Sequence, residues 1–179
     1  MKLEQTSLEG AWIATPEKTV DERGWFARTF DARSFRDQGL ELEVVQANAS
    51  FNAKEGTLRG LHFQRSPHAE AKLISCVRGT VWDVAVDIRP DSPTYCSWHA
   101  VELSDENGLA FFIPGGMAHG FQTLTDNCEL HYLMGHEYVA DAGDGVRWDD
   151  LAFGIQWPEP PAGGRTISGR DLCFPDFQP

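Results

Sequence analysis

The run Leu58-Arg-Gly-Leu-His-Phe-Gln64 sets one histidine among small and apolar residues, and Lys72 follows it ten residues later. Histidine takes up a proton near neutral pH when a carboxylate fixes its tautomer and supports the imidazolium, so His62 is a candidate general base. If Thr57 to Gln64 is a strand, Leu58, Gly60, His62 and Gln64 face one way and Arg59, Leu61 and Phe63 the other. Such a strand can aim a histidine into a barrel. A core histidine bonded to a backbone carbonyl is the competing reading, and position alone leaves the two evenly matched. A second run, Gly108-Leu-Ala-Phe-Phe-Ile-Pro-Gly-Gly-Met-Ala-His-Gly120, leads from an apolar strand through a Pro-Gly-Gly turn to His119.

The elements that must position these residues read as short strands. Ile74 to Ile88 holds two alternating β-branched runs broken at Gly79, the pattern of a tight hairpin or bulge. Further strands are predicted at Gly10 to Ile13, Gly24 to Thr29, Leu42 to Asn52, Thr57 to Gln64, Ser97 to Leu103, Leu109 to Ile113, Gly120 to Leu124 and Cys128 to Met134. One short helix is predicted at Ala32 to Gln38, capped by Asp31, while Glu106 to Gly108 and Pro114 to Met117 read as turns. This is the pattern of a sandwich or barrel. After Trp148 the chain turns Pro- and Gly-rich, as in Trp157-Pro-Glu-Pro-Pro-Ala-Gly-Gly164, and reads as an irregular arm laid over the domain.

The 179 residues, 41% of them hydrophobic, suit a single domain spanning 1–179 with its own core. A net charge of −12 argues against a nucleic-acid-coating surface, while leaving room for a local phosphate pocket built from a few cations. The cysteines Cys76, Cys96, Cys128 and Cys173 lack CxxC spacing, and no signal-peptide core or membrane-spanning run is visible. A cytoplasmic protein with reduced thiols is expected, with neither nucleic acid nor membrane as partner.

The 108–120 run resembles the second half-motif of the cupin superfamily, with Thr123 where asparagine is usual. Metal-binding cupins supply an HxH pair and a nearby glutamate from the first half-motif. Here the stretch is His62-Phe63-Gln64, which falls short of a three-ligand catalytic centre, so no metal is expected. Over nearly its whole length the chain is similar to the dTDP-4-dehydrorhamnose 3,5-epimerase family. The matching blocks include Asp21-Glu-Arg-Gly-Trp-Phe26, Gln46-Ala-Asn-Ala-Ser50, the 58–64 run, Lys72-Leu73, Asp83-Val-Ala-Val-Asp-Ile-Arg89, Ala118-His-Gly-Phe121, Tyr132, Tyr138, Arg147-Trp-Asp149, Gly154-Ile-Gln-Trp-Pro158 and Asp171.

That resemblance implies an all-β fold: a cupin-type jelly-roll barrel with short helices and an irregular C-terminal arm. It also implies cofactor-free inversion of carbons flanking the C4 ketone of a nucleoside-diphosphate-linked 4-keto-6-deoxyhexose, most simply a dTDP sugar. A proton next to a ketone is removable when a base reaches it, a cation meets the enolate oxygen, and an acid protonates the opposite face. By resemblance His62 is the base, Asp171 its orienting carboxylate, Lys72 the cation and Tyr132 the acid. Without the resemblance, Tyr132 reads as packing and Asp171 as a solvated acid in a Pro-flanked tail. Asp83, mid-strand among apolar residues where an unpaired carboxylate is costly, ranks second as partner to His62.

The resemblance further assigns Arg23, Arg59 and His119 to the diphosphate, Gln46 and Asn48 to ligand hydrogen bonds, and Phe26 and Tyr138 to apolar and stacking contacts. It implies a homodimer in which strands cross to the partner and one subunit helps line the other's site. Arg28 and Gly143 stand where the family commonly has glutamate, Leu133 where lysine follows the tyrosine, and Arg170 where lysine precedes the aspartate. The glutamate-to-arginine reversal at 28 changes both charge and hydrogen-bond direction. Family members differ in whether C3, C5 or both are inverted. A catalytically silent sugar-binding cupin is the alternative of another class, and the complete His62, Lys72, Tyr132 and Asp171 set weighs against it.

Overall fold

Strands whose two faces are both covered carry near-continuous apolar runs, and Val81 to Val86 and Ala110 to Ile113 are of that kind. A computed structural model describes residues 1–179 and shows how both faces become covered. The strands are β1 (Lys2–Gln5), β2 (Trp12–Thr15), β3 (Thr19–Asp21), β4 (Gly24–Phe26), β5 (Gln46–Asn52), β6 (Thr57–Gln64), β7 (Lys72–Arg78), β8 (Thr80–Asp87), β9 (Trp98–Ser104), β10 (Ala110–Ile113), β11 (Met117–Thr123), β12 (Cys128–Met134), β13 (Gly143–Gly145) and β14 (Thr166–Ile167). One sheet runs β1-β2-β10-β7-β12-β5 and the other β13-β6-β11-β8-β9, with β14 added beside β6. Strands β3 and β4 pair only with each other.

Between the sheets lies a core of Ile74, Cys76, Phe111, Ile113 and Leu130 against Val81, Ala85, Leu103, Met117 and Phe121. The alternate residues of the same strands point outward. Leu73, Ala110 and Phe112 are covered by Phe35, Leu40 and Leu42, on or just after α1 (Ala32–Asp37). Asp31 caps that helix through the Arg33 N–H. On the opposite side Leu61, Val84, Val86 and Ala118 are covered by Val146, Phe153, Ile155, Trp157 and Phe177 of the C-terminal arm. The arm therefore supplies a third apolar layer and also carries α2 (Gly169–Leu172). No helix is long and apolar enough to cross a membrane.

Several expectations need correction. β7 and β8 are not a hairpin: β7 pairs with β10 and β12, whereas β8 pairs with β9 and β11. Gly79 is the corner at which the chain changes sheets. Its φ is +75°, and a Cβ there would lie 2.7 Å from Thr125 Oγ1 and 2.8 Å from Cys128 Sγ. Strand β5 begins at Gln46, not Leu42, because Leu42 turns outward to pack beneath α1. β11 begins at Met117, inside the predicted turn.

The face pattern of β6 also differs from strict alternation. His62 pairs with His119 and Arg59 with Phe121, so three steps on β6 span two on β11. This bulge brings Arg59 and His62 to one face and turns Leu61 outward into the arm-covered cluster. Gly60 makes the bulge possible: its φ is +125°, and a Cβ there would meet Gly120 Cα at 2.6 Å.

Candidate active site

The inner rows of the two sheets are apolar toward β9 and polar toward β5 and β6. Along β5 every second residue is polar: Gln46, Asn48, Ser50 and Asn52, paired with Met134, Tyr132, Leu130 and Cys128 of β12. Arg59 and His62 come from β6, Lys72 from β7, Asp83 from β8 and His119 from β11. One side of this polar end is a cavity of about 280 Å³ bordered by Gln46, Asn48, Gln64, Glu70, His136 and Tyr138. A larger groove of about 1070 Å³ runs beside α1, but none of the candidate site residues lines it.

His62 Nε2 lies 2.8 Å from Asp171 Oδ1, and Asp171 Oδ2 accepts the Gly60 N–H at 3.1 Å. The tail thus folds back: α2, capped by Ser168, carries a buried Asp171 to the bulge it helps fix. Burial pushes the Asp171 carboxyl up, but the His62 hydrogen bond and charge, the Gly60 N–H and Ser168 outweigh it and hold the carboxyl below its usual range. An ionised acceptor at Nε2 favours the tautomer of the neutral imidazole that has its proton there and its lone pair at Nδ1. The His62 side chain is 43% exposed. Phe174 stands edge-on to the ring at 6.1 Å between centroids.

Asp83 is not the partner of His62. Both of its oxygens lie 2.9–3.0 Å from His119 Nε2, and the pair is sealed, His119 at 6% and Asp83 at 0% exposure. Burial pushes the Asp83 carboxyl up, with His119 pulling it partly back. His119 stands edge-on to Tyr132, whose Oη is 3.1 Å from Ser50 Oγ. Burial drives the Tyr132 phenol above its ordinary range, against the opposing bond to Ser50, so at neutral pH it keeps its proton and can donate it.

Arg59 donates to Asn52 Oδ1 at 2.7 Å and to the Phe51 carbonyl, which braces its guanidinium at the open end. Gln46 accepts the Tyr138 N–H, and Tyr138 itself is exposed. Lys72 is buried against Glu70, which accepts its Nζ. Arg23 and Phe26 are not brought to this site. They sit on the β3–β4 hairpin, where Arg23 pairs with Asp21 and Phe26 is 77% exposed. Of the departures from the family pattern, Arg28 pairs with Asp31 and Arg170 reaches the Gly143 carbonyl. Leu133 packs outward beneath α1.

Sequence reasoning missed Glu70, Ser50, Asn52 and the bracing role of Gln64, which bonds the Val139 N–H and the carbonyls of His68 and Glu137. The polar residue at every second position from 46 to 52 was the available signal for a wet interior wall. Glu70 had a weaker one, an acid two residues before a lysine that opens an apolar strand.

Two layers of antiparallel strands closing on a polar pocket define a cupin-type jelly-roll barrel, of the kind that binds small ligands inside its mouth. The family model for dTDP-4-dehydrorhamnose 3,5-epimerase matches residues 5–179, and the chain belongs to that family. It is 46% identical over 167 residues to the dTDP-4-dehydrorhamnose 3,5-epimerase of Methanothermobacter thermautotrophicus, covering 93% of this chain and 89% of that one. The crystal structure of the Elizabethkingia anophelis enzyme of the same name superposes with a TM-score of 0.94 at 39% identity, covering 99% and 96% of the two chains. A Legionella pneumophila 3,5-epimerase solved in complex with dTDP-4-keto-L-rhamnose gives a TM-score of 0.89 at 33% identity, covering 99% of each chain.

Proposed function

We propose that this protein is an isomerase that epimerises a dTDP-linked 4-keto-6-deoxyhexose at C3 and C5 through an enolate. The observation that carries the reading is the His62–Asp171 hydrogen bond, which engages Nε2 and leaves Nδ1 unengaged on a 43% exposed side chain in a chain of an epimerase family. His62 removes the proton next to the ketone. Lys72 faces the enolate oxygen, and Tyr132, protonated at neutral pH, returns a proton to the opposite face. All of these proton transfers use side chains of the chain itself. Arg59 and His119 serve the diphosphate, while Gln46, Asn48 and Tyr138 contact the rest of the ligand.

Arg23 and Phe26 enter the same scheme from a second copy. The β3–β4 hairpin exposes Val20, Trp25 and Phe26 at 73%, 58% and 77%, an apolar surface that a homodimer would cover by laying the hairpin on the partner's barrel. Residues 1–179 then act as one domain per subunit. The four unpaired cysteines suit a reducing compartment, the cytoplasm. Proton NMR in heavy water tests the activity, with C3 and C5 of dTDP-4-keto-6-deoxyglucose followed separately. Deuterium entry at both carbons is expected. Exchange at one carbon alone would make the protein a single-centre epimerase, and exchange at neither would overturn the proposal.

A further inference from the structure

A lysine in an apolar wall loses its charge unless something holds it, because burial penalises the ammonium. Lys72 opens β7, where its strand neighbours are Ile113 of β10 and Met134 of β12, neither of them charged. Its side chain is 8% exposed and its one hydrogen-bonding partner is Glu70, itself 6% exposed. Glu70 is equally dependent on Lys72. Its Oε2 is buried without any hydrogen-bond donor, so Lys72 is the one group that hydrogen-bonds to the carboxylate. Gln46, Asn48 and Gln64 border the same cavity but are neutral. His136 and Tyr138 are the other titratable side chains there, and His68 stacks edge-on to His136 at 5.2 Å with its own Nδ1 unpaired.

We propose that Glu70, which borders the cavity, is a positioning residue that fixes the neighbouring Lys72 as an ammonium and thereby sets the alkaline limit of the reaction. The inference rests on the enolate-facing role of Lys72 given above. Burial is the largest influence on Lys72 and lowers its pKa, while the charge and hydrogen bond of Glu70 work in the other direction. Removing that carboxylate charge leaves only the lowering influence. Lys72 then becomes a neutral amine at a lower pH, and a neutral amine stabilises an enolate poorly.

The test compares Glu70→Gln, which keeps the shape, with Glu70→Asp, which keeps the charge. In pH profiles of kcat for C3 and C5 deuterium wash-in, the alkaline limb of Glu70→Gln is expected to move about one pH unit or more toward acid. That of Glu70→Asp should stay within a few tenths of a unit even if its kcat falls. An unmoved limb in Glu70→Gln, or equal displacement in both variants, overturns the proposal. A measurement without any variant keeps it testable if Glu70→Gln does not fold. The side-chain carbon resonance of Lys72 in the unaltered protein should report an ammonium at pH 8, and a neutral amine there overturns the proposal. Lys72→Met separates the two levels. If Lys72→Met retains full wash-in, the role of Lys72 itself is wrong; if it is inactive while the Glu70→Gln limb stays put, only the inference about Glu70 fails.

Discussion

Two histidine–aspartate pairs have their histidines on neighbouring strands, with His62 directly opposite His119 in register, yet they sit in different settings. His119 and Asp83 are sealed between the sheets, and the carboxylate spends both oxygens on one imidazole nitrogen. His62 and Asp171 sit at the open end, and the carboxylate divides its oxygens between the ring and the Gly60 N–H. Burial raises the Asp83 carboxyl, whereas converging donors lower that of Asp171. The same two residue types therefore make a pair enclosed between the sheets in one place and a pair with a half-exposed imidazole in the other. Exposure of the imidazole, 43% against 7% for the side chains, and the number of donors on the carboxylate make the difference.

The comparison is broken most directly at His62. His62→Asn should lower wash-in kcat by about 10³-fold with ligand affinity within a few-fold, because a general base is lost. Asp171→Asn should cost about 10²-fold by permitting the wrong tautomer. If the sealed pair is structural, Asp83→Asn instead costs stability, about 3 kcal/mol in urea unfolding, since it leaves a buried imidazole facing an amide. An Asp83 variant of unchanged stability but lost activity would erase the distinction between the pairs. Tyr132→Phe sharpens it from the acid side. Deuterium should still enter at the carbon His62 reaches, while formation of inverted product falls by about 10²-fold.

Asp87 extends the comparison to a buried carboxylate rich in donors. It lies four residues beyond Asp83 on the same inner row of β8, and Arg89, Ser92 and Thr94 all donate to it. Burial pushes it up, but those bonds win and bring its pKa down to about 2. A lowered folded-state pKa adds stability that is complete above the unfolded value near 4 and is lost as pH falls toward 2. Asp87→Asn should thus cost about 2 kcal/mol at pH 7, and the gap to the unaltered protein should close by about pH 2. A gap independent of pH would mean that packing, not charge, is what the substitution removes.

Much of the scaffold was legible because it depends on near neighbours. The alternating apolar residues of β6 and β12 give their bounds, and Asp31 caps α1 through a bond two residues away. The hairpin reading of residues 74 to 88 failed because a glycine between two strands is equally suited to a corner. Only the pairing of β7 with β10 and β12 distinguishes the two. Strict alternation along β6 failed at Gly60 for a similar reason, since the bulge is defined by the partner strand β11. The residues of the polar end were mostly visible as types, while Glu70 carries only a weak signal along the chain and is marked out by its contact with Lys72.

The sequence by itself determined the strands, the apolar rows, the helix cap and the presence of two histidines, a lysine, a tyrosine and spare carboxylates suited to proton transfer. Propensity, alternation and capping act over a few residues, so they can be read along the chain. Which carboxylate meets which histidine was decided by the tertiary structure alone. Asp171 lies 109 residues from His62 and Asp83 lies 36 from His119, and such distances close only when the arm docks and the sheets pair. The pairing of the sheets also leaves His119 only 6% exposed, whereas the His62 side chain stays 43% exposed, a difference set by packing and not by local sequence.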